Sequence, residues 1–217
     1  MTNKYKIVVI EDNPKHLKDV RGLINKRQDL VKAVYTTNLA DALYELDSRK
    51  HEGVLSDAHF PEHEGGPESP CGIQVIDYAM GHKMPFTIVT SDWHHGEKTE
   101  PISERSLCSG MEIIDDSRMG RFDHDIRTRY KKNHVIRTRY KKKWGDGLAN
   151  LVYLIDKSRE GKLSYAKLED CDHDHIGMIS SDDKYFESPD SEGNLIYYGQ
   201  DSIRYPDLDK IKSKLRL

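Results

Sequence analysis

The chain has 217 residues, enough for one well-buried domain with an appendage or for two small domains. Charged residues make up 33% and the hydrophobic set 36%, so the core must be economical and some segments heavily solvated. A net charge of −3 singles out no class of partner, and the absence of any apolar run of about eighteen residues excludes a membrane-spanning helix.

Ile7-Val8-Val9-Ile10 reads as a buried strand that stops at Glu11-Asp12-Asn13-Pro14. Asp12 or Asn13 is placed to cap the next helix, with Pro14 in its first turn and Leu17, Val20, Leu23 and Ile24 at helical spacing. A second strand spans 31–36. Asn38 then caps a helix carrying Leu39, Ala42, Leu43 and Leu46. The third strand, 53–57, closes on Asp57, and a Gly/Pro/Glu-rich loop follows over 62–70. Helix 72–80, a fourth strand over 86–90 ending at Thr90-Ser91, a short helix near 102–108 and a fifth strand at 111–114 complete the series.

Repeated strand–helix alternation, with strands apolar on both faces, predicts a parallel sheet covered on both sides, an α/β doubly wound fold. In such a sheet ligands collect at the carboxyl ends of the strands. Those ends supply Glu11 and Asp12, then Asp57, then Thr90 and Ser91. Carboxylates meeting at one edge repel unless a cation joins them, and hard oxygen ligands suit Mg²⁺. A carboxylate beside such an ion can attack a phosphoryl group, and a hydroxyl can hydrogen-bond one of its oxygens.

Val9-Ile10-Glu11-Asp12, Leu55-Ser56-Asp57-Ala58-His59-Phe60-Pro61, Gly72 and Ile88-Val89-Thr90-Ser91 together resemble the receiver domain of two-component response regulators over about residues 5–115. The resemblance implies a flavodoxin-like, five-stranded parallel sheet of order 2-1-3-4-5, with Asp57 as phosphoacceptor, Glu11 and Asp12 as metal-side acids and Thr90 as switch hydroxyl. It also implies a histidine kinase or phosphotransfer protein upstream, a partner protein for output, and a cytoplasmic location. Three cysteines without framework spacing agree with a reducing compartment. Any catalysis would be limited to self-phosphorylation from a phosphodonor.

The chain departs from the pattern in two places. Receivers carry a lysine at the end of the fifth strand, but Gly110-Met111-Glu112-Ile113-Ile114-Asp115-Asp116 puts an acid there, with Arg118 the nearby substitute. The loop from Glu62 to Cys71 is also long for a receiver. A looser likeness, through Glu11 and Asp57-x-His59, is to the acidic metal site of Toprim nucleic-acid enzymes. Trp93-His94-His95-Gly96 and Cys171-Asp172-His173-Asp174-His175 lack the paired spacing of a structural zinc site and read as solvated loop histidines.

Beyond Asp116 the composition changes. Ile126-Arg127-Thr128-Arg129-Tyr130-Lys131-Lys132 recurs unchanged as Ile136-Arg137-Thr138-Arg139-Tyr140-Lys141-Lys142. The bland reading is a solvated basic loop. The functional one has Arg127, Arg129, Arg137 and Arg139 following a nucleic-acid backbone while Tyr130 and Tyr140 stack on bases. Trp144 to Ser158 reads as the closing helix of the receiver-like unit, displaced by an insertion at 116–145. The resulting division is a receiver-like domain over 1–160 and an acidic extension over 161–217, with a possible hairpin between Tyr185-Phe186 and Leu195-Tyr198.

Overall fold

A computed structural model describes residues 4–91, 101–102, 142–161, 163–168, 175–180 and 208–217. The first strand, β1 (Tyr5–Ile10), runs into helix α1 (Pro14–Asn25). Asn13 is the cap: its side chain accepts from the Lys15 N–H, and Pro14 fills a position that has no intrahelical donor to lose. Strand β2 (Val31–Thr36) and helix α2 (Leu39–Asp47) follow, with the Asn38 side chain accepting from the Asp41 N–H. Strand β3 (Gly53–Ser56) leads to a two-stranded antiparallel ribbon of β4 (Phe60–Pro61) and β5 (Glu68–Ser69), then α3 (Gly72–Gly81) and β6 (Phe86–Ile88). After the undescribed stretch come α4 (Trp144–Arg159), strands β7 (Leu163–Leu168) and β8 (His175–Ser180), and a final helix α5 (Leu208–Leu215).

The main sheet has the order β2-β1-β3-β6, every pair parallel. This is the expected doubly wound, flavodoxin-like order for the four strands described. The fifth strand, expected at 111–114, lies outside the described residues, as do the hairpin expected between 185 and 198 and all but Ile102 of the helix expected near 102–108. Register aligns Ile10 with Thr36 on one side and Ser56 on the other. The ladder continues past the strand ends: Glu11 N–H donates to Thr36 O, Asp57 N–H to Ile10 O and Val89 N–H to Ser56 O. Three chain segments therefore end level with one another, which fixes where the acids stand.

Alternation along β1 divides the core. Val8 and Ile10, with Val54, Phe86 and Ile88, pack under α2 and α3 against Ala42, Leu46, Val75, Ile76 and Ala79. Ile7 and Val9, with Leu55 and Val89, pack under α1 and α4 against Val20, Ile24, Leu148, Leu151 and Ile155. Burying each such side chain contributes about 1.5–3 kcal/mol. Contact between α4 and the sheet is close enough to require glycine. A Cβ on Gly147 would run into Val89, and one on Gly53 would lie 2.9 Å from Leu151 Cδ1.

Two elements differ from expectation. The long loop after Phe60 is not plain coil: Phe60 pairs with Ser69, Pro61 with Glu68, and Glu62 O accepts from Ala40 N–H, fastening the loop to the start of α2. In the tail, β7 and β8 form a six-residue antiparallel pair from Leu163↔Ser180 to Leu168↔His175, upstream of the only hairpin expected there. Pairing between the two strands, rather than the propensity of either, holds that element.

Candidate functional site

Glu11, Asp12 and Asp57 converge at the carboxyl edge of the sheet. One carboxylate oxygen from each lies within 4.8 Å of the others. Glu11 is fully buried, Asp57 is 6% exposed and Asp12 half-buried. β1 delivers the first pair and β3 the third, because each strand ends one residue before its first acid. Backbone donors orient two of them: Asn13 N–H donates to Glu11 Oε1 at 2.9 Å, and Ala58 N–H to Asp57 Oδ1 at 2.7 Å. Ser56 Oγ donates to Asp57 O at 2.7 Å and so ties down the strand end. Gly72 closes the far side of the Asp57 turn, its N–H donating to Ala58 O, and a Cβ there would meet that oxygen at 2.9 Å.

The cation beside these acids is Lys142. Its Nζ donates to Glu11 Oε2 at 2.7 Å and forms an ion pair with Asp57 Oδ2, with only 3% of the side chain exposed. Its ammonium also stands 5.5 Å from the centre of the Trp144 ring, within cation–π range. Lys142 is the last residue of the second copy of the duplicated basic heptad, where the sequence suggests a solvated loop. At this one position that reading fails, because two buried carboxylates bind the ammonium more strongly than exposure would favour. The Asp115-Asp116 position, expected to carry an acid in place of the receiver lysine, lies outside the described residues, as does Arg118.

Burial is the main force on the charges. It pushes the Glu11 carboxyl up from 4.5 to about 7, the neighbouring Asp57 adding to the rise and Lys142 opposing it. Burial also raises Asp57, against the pull of Lys142. For Lys142, desolvation acts downward, but the joint attraction of Asp57 and Glu11 outweighs it and the ammonium is held firmly protonated. His16, in the first turns of α1, is lowered by burial and then by the Lys142 charge.

These residues fit a hard divalent cation. Three carboxylates face one ammonium among the described residues, leaving a formal excess of two negative charges at a site made of oxygen donors. Thr90, 2% exposed, stands one residue beyond Val89, whose N–H donates to the third strand. His59, two residues after Asp57, is buried at 9% exposure. The basic candidates Arg127, Arg129, Tyr130, Arg137, Arg139 and Tyr140 lie outside the described residues, as do His94 and His95.

Sequence reasoning placed the acids and missed the lysine. The available signal was positional: Lys141-Lys142-Lys143 immediately precedes the amphipathic helix that closes the unit. No helix among the described residues is long and apolar enough to cross a membrane.

No family model matches the chain, and no curated protein matches it. Among solved structures it is similar to the signal receiver domain of an HD domain-containing protein from Pseudomonas fluorescens Pf-5, at 16% identity and a TM-score of 0.37, covering 46% of this chain and 74% of that one. It is similar to the Salmonella typhimurium RcsB response regulator at 17% identity and a TM-score of 0.40, covering 52% of each chain. A third likeness is to the receiver domain of Ssk1 from Saccharomyces cerevisiae, in a co-crystal with the histidine phosphotransfer protein Ypd1. It has 15% identity and a TM-score of 0.37, covering 52% of this chain and 79% of that one.

Proposed function

We propose that this chain is a receiver-like signalling module in which Asp57 accepts a phosphoryl group under control of a divalent cation. The observation that carries the reading is the meeting of Glu11, Asp12 and Asp57 within 4.8 Å around a buried Lys142, from three separate parts of the chain. Mg²⁺ is the cation that suits this set, with Glu11, Asp12 and Asp57 as its protein ligands. When bound, it would neutralise charge on the phosphoryl oxygens.

The chain's own residues supply the rest. An Asp57 carboxylate oxygen forms the new O–P bond as the donor's bond to phosphorus breaks, and the leaving group keeps that electron pair. Ala58 N–H holds Asp57 Oδ1, leaving the rest of the carboxylate to Lys142 and an incoming group. The ammonium of Lys142, already paired with Asp57, is placed to follow the charge onto the phosphoryl group. Thr90 is the hydroxyl proposed to bond a phosphoryl oxygen and report the modified state.

Donors of the matching chemistry are a phosphohistidine on a histidine kinase or phosphotransfer protein, with output through contacts to another protein. The basic residues 127–140 lie outside the described residues, and Lys142, at the end of the second copy, is engaged by Glu11 and Asp57.

Beryllofluoride with Mg²⁺ tests the reading directly, since it mimics a phosphoryl group on a carboxylate. Titration calorimetry should show saturable, Mg²⁺-dependent binding to the wild-type chain and none to Asp57→Asn. Equal binding by the variant would remove Asp57 from the role.

A further inference from the structure

Lys142 also begins a second connection, from the acidic site to the end of the chain. One residue separates it from Trp144, the first residue of α4. That helix start lacks one restraint: its cap, Lys143, makes no side-chain capping bond, and Gly145 in the first turn has open space where a Cβ would stand. Trp144 is 3% exposed, and its Nε1 has no hydrogen-bond partner among the described residues. The same turn contains Asp146, which accepts from Lys212 Nζ of α5 at 2.6 Å. Lys212 is also paired with Asp209, at 2.7 Å. Below this contact Leu215, 4% exposed, joins the cluster of Val20, Ile24, Leu148, Leu151 and Val152, with Ile211 and Leu217 packed against it. The C-terminal helix is thus clamped to the very turn that the site's lysine introduces.

We propose that α5 is an intramolecular latch whose docking opposes occupancy of the acidic site. The latch rests on the cation-binding reading given above. A divalent cation held by Glu11, Asp12 and Asp57 would draw on the same two carboxylates that bind the Lys142 ammonium, and the two positive charges repel at such range, which drives the ammonium off them. Withdrawal of Lys142 displaces the start of α4, where no side-chain capping bond holds the turn and Gly145 is unpacked. Asp146 moves with that turn, and the Lys212 contact is lost. Docked α5 in return holds the turn, and Lys142 with it, in the cation-free position. Release would uncover the apolar stripe of α4 that Leu215 now covers.

Coupling of this kind is reciprocal, so it can be read from both ends. In the full-length wild-type chain, hydrogen exchange over 208–215 should accelerate when Mg²⁺ and beryllofluoride are added. Calorimetry should show Lys212→Ala, with Asp146→Asn as a second variant, binding Mg²⁺ about fivefold more tightly than wild type. Measurable binding with unchanged exchange over 208–215 and unchanged affinity in both variants would overturn the latch while leaving the site intact. No binding heat in any of the chains would instead overturn the site, and the latch with it.

Discussion

At the scale of single residues, the decisive group is Lys142. Glu11 and Asp57 are legible in sequence because each closes a short apolar strand, and acids at the ends of neighbouring parallel strands meet on one edge. Lys142 is not, because it lies 131 residues from the Glu11 it binds and is the last residue of a repeat rich in lysine and arginine. Nothing local marks one lysine of Lys141-Lys142-Lys143 as buried; only the two carboxylates waiting for it do. Their burial has a measurable consequence. A carboxyl raised from 4.5 to about 7 binds its proton more tightly in the folded chain than in the unfolded one. Glu11 therefore favours folding fully below about pH 4.5, and that contribution, roughly 3 kcal/mol, is lost as pH rises through 7. Asp57 shifts in the same direction and adds to the effect. Urea unfolding without metal should show the wild-type chain losing stability relative to Glu11→Gln between pH 5 and 8, and losing more in a Lys142→Met background. A difference that stays flat over this range would contradict the burial argument.

At the scale of elements, the parallel strands and helices from β1 to β6 are readable to within about two residues, and the β4–β5 ribbon is not. Apolar runs such as Ile7–Ile10 are bounded by Asn13 and Asn38, whose side chains do cap the helices that follow. The later elements are less so, since long-range contacts create them. α5 is a lysine-rich helix of eight residues, too short to persist alone, and it is held by Ile211 and Leu215 against the core. β7 and β8 depend on each other in the same way. α4 offers a paired test of how tightly an element is seated. Gly147→Ala would drive a methyl group into Val89, with Leu55 Cδ1 3.1 Å away, and overpacking should cost about 1–3 kcal/mol despite the better helix propensity of alanine. Gly145→Ala meets nothing within 4 Å and should stabilise by up to about 1 kcal/mol. Urea midpoints moving in opposite directions would support this packing; movement in the same direction would contradict it.

At the scale of the molecule, the doubly wound sheet brings the ends of β1 and β3 together with the start of α4, and the C-terminal helix returns to the same place. The site thus joins the ends of β1 and β3 to Lys142, just before α4, and the C-terminal helix packs against the first turn of that helix. Its acids fit a divalent ion, its lysine balances part of their charge, and Asp57 is the carboxylate proposed to accept the phosphoryl group. The most direct measurement is the intact mass of the chain after incubation with acetyl phosphate and Mg²⁺. The account predicts a gain of one phosphoryl group, mapped to Asp57 and lost with chelator or in Asp57→Asn; an unchanged mass in a folded, Mg²⁺-binding chain would contradict it.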